Sequence, residues 1–244
     1  MPSSDAPTPG QYRVSEQQDY ASLERFQGIR SHSVAGVHEM IAGIVRQRLK
    51  PGAKVLDLAC GAGALTLRLQ QAGYRLTACD LIADKLEVRD GIEFVEADLN
   101  QDFATKFRGK FDAIVASEII EHMENPRHFL REVRKLLKPG GTLVVSTPNI
   151  DSPLSKAIFL RTGRHRWFAD SDYVESGHIT PMSETCLRRA LTETGFEVES
   201  VASGGAVPRT GWWKMRLLAR LMSFVGTGER GEILIVVAYR TETA

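Results

Sequence analysis

Val55-Leu56-Asp57-Leu58-Ala59-Cys60-Gly61-Ala62-Gly63 is the stretch on which the architecture turns. A short apolar run leads straight into two closely spaced glycines, and a helical pattern follows over about 64–71, stopped by Gly73. Glycine lets a backbone come close to a ligand and adopt positive φ. The helix start beyond it offers free N–H donors and the positive end of a dipole. A bare G-x-G also describes a tight strand-to-helix turn with no ligand, so its weight comes from its surroundings.

Outward from this turn the pattern alternates. Val34, Val37, Met40, Ile41, Ile44, Val45 and Leu49 recur at helical steps before Pro51-Gly52. Strands are predicted at 54–59, 75–79, 92–96, 111–116 and 142–147, with a short helix between the second and third and a longer one over 126–137. Strands separated by helices imply βαβ units and a parallel sheet. From 148 to 181 the periodicity lapses into a long aromatic and basic segment, the kind of loop that usually serves as a cover. A helix at 183–194 and strands at 196–201 and 232–239 close the pattern, with an irregular or helical stretch over 204–231.

Three acids follow apolar strands in order. Asp57 precedes the glycines, Asp80 ends the second strand and Asp98 the third. A carboxylate at the second position can accept both ribose hydroxyls of a nucleoside lying across the strand ends. Isolated Asp residues there are often turn caps, but three in sequence are hard to explain as caps alone.

Composition narrows the class. Hydrophobic residues make up 43% and charged ones 25%, which suits a globular domain with a real core. Lys and Arg number 31 against 30 Asp and Glu, so there is no overall drive toward nucleic acid and none is expected as a partner. Cys60, Cys79 and Cys186 show no metal spacing, and their odd number points to a reducing, cytoplasmic setting. No apolar run approaches the roughly 18 residues of a membrane span. Residues 1–20 read as a disordered, Pro- and Ser-rich tail and 21–244 as one domain, with cover segments at about 150–181 and 204–231.

The dinucleotide fingerprint requires Gly or Ala where this chain has Thr66, so a nicotinamide-dependent reductase fits poorly. Together, Asp57 to Gly63, Cys79-Asp80, Ala97-Asp98, Ser117-Glu118-Ile119-Ile120-Glu121-His122 and LLKPGGTLVVSTPN (136–149) resemble the ordered motifs of class I S-adenosylmethionine (SAM)-dependent methyltransferases. The Glu-x-x-Glu-His and LLKPGG…STPN stretches are similar to the ubiquinone-biosynthesis O-methyltransferase group and its small-molecule relatives. The resemblance covers about residues 50–150. It implies a Rossmann-like, three-layer αβα sandwich whose seven-stranded, mostly parallel sheet has an antiparallel last strand. It also implies that Asp57, Ala59, Gly61 and Gly63 line the methionine part of SAM, Asp80 the ribose, Asp98 with Leu99 the adenine, and Leu81 the adenine face. Ser117 and Glu118 would border the methyl donor and acceptor.

Methyl transfer from a sulfonium is an in-line displacement, for which orientation supplies up to roughly 7–11 kcal/mol. An oxygen acceptor must also lose a proton, and His122, with Glu118 beside it, is the first candidate base. His178, in Gly-His-Ile-Thr-Pro, is the second. In the ubiquinone-type relatives the Glu-x-x-Glu-His group is associated with a divalent ion, for which carboxylates would suit Mg²⁺. A capping role for the same residues weighs more, so no metal is assigned.

The expected function is SAM-dependent methyl transfer to an oxygen of a small or lipid-linked acceptor, a quinol precursor or a glycan. The alternative is a nucleoside-binding regulatory or assembly protein that keeps the fold without the chemistry. Phe159, Arg161, Arg164, His165, Arg166, Trp167, Phe168 and Tyr173 offer aromatic faces and cations to a bulky or phosphorylated substrate. Residues 212–225 form a basic amphipathic stretch with two tryptophans, readable as a peripheral membrane contact or as a lid. Phe26, Arg30 and His32, before the first helix, read as surface residues.

Overall fold

A computed structural model describes residues 23–205, residue 217 and residues 231–242. The predicted tail (1–20) and the 212–225 stretch, apart from Leu217, lie outside the described residues.

The sheet has seven strands: β3 (Lys54–Leu58), β4 (Arg75–Asp80), β5 (Glu93–Glu96), β6 (Phe111–Ala116), β7 (Leu137–Pro148), β8 (Phe196–Gly204) and β9 (Ile233–Arg240). Their order is β5-β4-β3-β6-β7-β9-β8. Strands β3 to β7 pair in parallel, whereas β9 is antiparallel to both β7 and β8. The expected sheet, with its reversed last strand, is therefore present.

Alternation along the strands builds two cores. Val55, Leu76, Val115, Val144 and Ile235 face α1 (Val37–Arg48) and α2 (Ala64–Gln71). Their neighbours Leu56, Leu58, Ile114, Leu143 and Val236 face α3 (Pro126–Leu136) and α6 (Glu184–Glu193). A strand buried on both sides is apolar at most positions, which is why these runs stood out in the sequence. Helix starts follow capping chemistry: the Asn125 side chain accepts from the His128 amide ahead of Pro126, and Ser183 does the same for Cys186.

Three features differ from the expectations. A separate antiparallel hairpin, β1 (Leu23–Phe26) and β2 (Ile29–Val34), precedes α1. Its loop is Gln27-Gly28 with φ of 50° and 90°, both in the left-handed region that a two-residue loop matching the strand twist demands. The segment over 148–181 is not irregular, for it holds α4 (Pro153–Thr162) and α5 (Asp170–Ser176). Strand β7 starts at Leu137, because Leu137 pairs with Phe111 ahead of a register irregularity. Among the described residues no helix is long and apolar enough to cross a membrane.

Candidate active site

The chain runs from β3 outward to β4 and β5, then returns to place β6 on the other side of β3. The loops leaving β3 and β6 therefore diverge at a point where the strand order reverses, the place where open parallel sheets bind ligands.

The β3 loop is held in an unusual backbone. Ala59, Gly61 and Gly63 have φ of 58°, 52° and 93°. The two glycines serve different ends. A Cβ on Gly63 would lie 2.7 Å from Leu86 Cδ1, so that position is packed by the segment after β4. A Cβ on Gly61 would meet only His32 Cδ2, at 3.7 Å.

Acids brace this loop. The Gly61 amide donates to Asp80 Oδ2 at 2.9 Å and the Leu81 amide to Oδ1 at 2.8 Å. Each carboxylate oxygen keeps a further lone pair for a ligand hydroxyl. Asp57 is buried and accepts from Thr66 Oγ1 at 2.6 Å. Thr66 thus supplies a buried hydroxyl where a dinucleotide fold would carry a third glycine. Burial, reinforced by the Asp80 charge, pushes the Asp57 carboxyl up to about 7. Asp98 lies beyond β5 and accepts from the Asn100 amide at 2.9 Å. Leu99 joins the main core, and Leu81 is 60% exposed beside Asp80.

Ser117 and Glu118 follow β6 directly. Ser117 Oγ lies 3.3 Å from Ser146 Oγ of β7. Glu118 has φ of 50°, and its amide donates to both the carbonyl oxygen and Oγ of Ser146, each at 3.1 Å. A non-glycine residue held there is strained, and such strain persists where surrounding contacts over-determine it. The Glu118 side chain accepts from the Ser33 hydroxyl of the hairpin. Burial pushes its carboxyl up to about 7, opposed by the Ser33 hydroxyl and the Val34 amide.

His122 and His178, 56 positions apart in sequence, come together with ring centroids 4.9 Å apart. Burial, and then His178, pull His122 down to about 4, and burial lowers His178 too. Glu121, the remaining member of the Glu-x-x-Glu-His group, is fully buried beside them and held well above the usual carboxylate range, first by burial and then by Glu118. Its carboxylate oxygens lack hydrogen bonds of good geometry. Glu121, His122 and His178 therefore fit a divalent cation, while Glu118 turns away to Ser33.

Ser33, Ser146 and the hairpin were missed by the sequence reading, although the Gln27-Gly28 turn between two short runs was a usable signal. In the cover segment, Arg164 pairs with Asp170 at 2.7 Å and Arg166 with Glu232 at 2.7 Å. Phe159 stacks on His165 at 4.5 Å, and Arg166 lies 4.8 Å over the Trp167 ring.

A methyltransferase-domain family model matches residues 30–201. The ubiquinone biosynthesis O-methyltransferase of Xanthomonas campestris pv. campestris is 39% identical over 106 residues, 41% of this chain and 44% of the relative. The Erwinia tasmaniensis protein of the same name is 34% identical over 109 residues, with the same shares. The chain thus matches less than half the length of these curated relatives. Among solved structures, a SAM-dependent methyltransferase from Mesorhizobium loti aligns with TM-score 0.58 at 22% identity, covering 84% of this chain and 99% of that one. The magnesium protoporphyrin IX methyltransferase of Synechocystis, solved with bound SAH, aligns with TM-score 0.57 at 16% identity, covering 84% and 82%.

Proposed function

We propose, given that the chain belongs to the methyltransferase-domain family, whose cofactor is SAM, that it transfers the SAM methyl group to an oxygen of a small or lipid-linked acceptor, such as a quinol precursor or a glycan. The observation that carries the oxygen assignment is Glu118. It is an acid at the end of β6, beside the switch point, with its carboxyl pushed up to about 7. A base is most effective when its pKa lies near the working pH.

In this reading Gly61 and Ala59 line the methionine end of SAM, with Asp57 facing its ammonium group. Asp80 takes the ribose hydroxyls, and Asp98 with Leu99 borders the adenine. Gly63 contributes by shaping the loop. Holding donor and acceptor in line supplies most of the rate. Glu118 removes the acceptor proton. His122 and His178, neutral at physiological pH, hydrogen-bond the acceptor or hold a cation together with Glu121. A bound cation would lower the pKa of an acceptor hydroxyl. Identity to the ubiquinone O-methyltransferases supports the quinol class, and the exposed Leu160 and Val174 on the cover helices suit an apolar acceptor.

The test is calorimetry with SAM, followed by labelled-methyl transfer into soluble and lipid extracts. The expected product carries label as a base-stable ether. SAM binding with no labelled acceptor in either extract would leave a nucleoside-binding protein without this chemistry.

A further inference from the structure

Glu232 stands just before β9 and is 3% exposed. It lies at the active-site end of the sheet, since Ile233 pairs with Pro148 at the end of β7 and the Asn149 amide donates to the Glu232 carbonyl oxygen at 2.7 Å. Arg166, from the segment between α4 and α5, donates Nε to Glu232 Oε2 at 2.7 Å. The second carboxylate oxygen, Oε1, is buried and has no hydrogen-bond partner among the described residues. A buried polar atom left unmet costs roughly 1–3 kcal/mol. Apolar residues of similar volume often fill the place of a buried ion pair at no loss of stability. Stability is therefore a poor account of this pair, and the geometry it enforces is a better one.

That geometry leads to His178. The Arg166 amide donates to Ser155 Oγ of α4 at 3.2 Å, and its guanidinium lies 4.8 Å over the Trp167 ring. Trp167 is held at φ 68°, a left-handed backbone that costs a bulky residue roughly 1–3 kcal/mol and needs its surroundings to keep it there. In this conformation the Trp167 carbonyl oxygen meets His178 Nδ1 at 2.6 Å. A carbonyl oxygen only accepts, so in the neutral ring Nδ1 carries the proton and Nε2 the lone pair. Among the described residues no other hydrogen bond reaches the ring, which is otherwise flanked by Phe168 at 5.6 Å and His122 at 4.9 Å. The His178 main chain is tied separately, its amide donating to the Asp172 carbonyl oxygen at 3.3 Å. The Trp167 carbonyl thus decides which nitrogen of His178 is basic.

We infer that Arg166 and Glu232 are positioning residues, which hold the Trp167 carbonyl against His178 Nδ1 and so turn a lone pair on Nε2 toward the methyl acceptor. The place of the acceptor beside His178 rests on the proposed methyl transfer, whereas the hold on the ring does not.

The test uses the full chain isotope-labelled at the histidine nitrogens, in which long-range nitrogen–proton spectra report each ring's tautomer and His178→Gln identifies the His178 signals. Wild-type His178 should be in the Nδ1–H form alone. Arg166→Met combined with Glu232→Leu puts an apolar pair of similar volume in place of the ions, so it should melt no lower than the wild type and keep its SAM affinity in calorimetry. His178 should nonetheless become a mixture of both tautomers. Labelled-methyl transfer into lipid extract at saturating SAM should fall at least about tenfold, since a positioned proton-transfer group contributes about 10²–10⁴-fold. On a His178→Gln background the same double change should cost less than about twofold, because the residues act through one ring. A pair that served folding alone would be fully replaced by the apolar one. His178 kept in the Nδ1–H form by the apolar pair, or found in the Nε2–H form in the wild type, would overturn the assignment. If the apolar pair does not fold, Glu232→Gln weakens the same contact and should show the mixture, and wild-type signals there would overturn it equally. The tautomers are read without an acceptor, so a mixture in the variant with no labelled product from the wild type would sink the methyl-transfer reading and leave the positioning in place.

Discussion

The Glu118 carboxylate accepts a hydrogen bond from Ser33, 85 residues earlier in the chain, tying the end of β6 to the N-terminal hairpin. Its backbone is held separately, by Ser146 of β7. The side chain and main chain of one residue are thus fixed by two separate segments of the chain.

This contact predicts a pH profile. Ser33 stabilises the ionised, base form of Glu118 while burial opposes it, and the balance lies near pH 7. With SAM saturating, the rate should rise through an acidic limb at about pH 7. Ser33→Ala removes the donor and should move that limb upward by about one to two units, since a hydrogen bond to a charged group contributes about 1.5–3 kcal/mol at full burial. Ser33→Thr should restore it. An unmoved limb in Ser33→Ala would separate Ser33 from the proton transfer.

Asp57 predicts a stability effect of a definite sign. Its carboxyl is raised from 3.8 to about 7 on folding, first by burial. Between those values the folded chain holds a proton that the unfolded chain has released, so stability falls as pH rises from about 4 to 7. Asp57→Asn should therefore gain on the wild type at pH 8 relative to pH 5 in melts without SAM. At about 2–4 °C per kcal/mol for a chain of this size, the gap should widen by several degrees. An equal gap at both pH values would mean that Asp57 is ionised in the fold.

Much of this architecture was legible in the sequence because β3, β6 and β9 are buried on both faces and stand out as largely apolar runs between turns, broken in β3 by Asp57 and in β6 by Asp112. The bounds of α2 and β6 match the expected ones for that reason. Helices α4 and α5 were illegible because Leu160 and Val174 point outward, 67% and 60% exposed, and break the apolar periodicity. The Ser152-Pro153 start of α4 was the surviving clue, with Ser152 Oγ accepting from the Ser155 amide. The ordered acids of the site were visible as residue types at strand ends. The meetings of Glu118 with Ser33 and of His122 with His178 were not, because tertiary folding alone brings distant segments together.

Asp80 bridges two strand ends, and its loss should be read in SAM affinity. Asp80→Ala removes the acceptor of the Gly61 amide together with the proposed ribose contacts. Hydrogen bonds to a charged group contribute about 1.5–3 kcal/mol, so affinity should fall by roughly ten- to a hundredfold in calorimetry. Asp80→Asn keeps one acceptor oxygen and should lose less. Wild-type affinity in Asp80→Ala would remove this residue from the cofactor site.

The two glycines of the β3 loop should separate folding from binding. Both have positive φ, so alanine carries a backbone penalty of about 1–2 kcal/mol at either position. At Gly63 the new methyl also meets Leu86 Cδ1 at 2.7 Å, and an overpacked core loses a further 1–3 kcal/mol or so. At Gly61 the nearest atom is His32 Cδ2, at an ordinary 3.7 Å, so the protein itself barely resists the methyl. What resists it there, in the proposed site, is the methionine end of SAM lying against the bare backbone. Gly63→Ala should accordingly show the larger drop in denaturant midpoint and retain SAM affinity once folded. Gly61→Ala should show the smaller drop and the larger loss of SAM affinity. The reverse pattern would mean that the ligand approaches the loop from the Gly63 side, where Leu86 and Val88 would have to move aside to admit it.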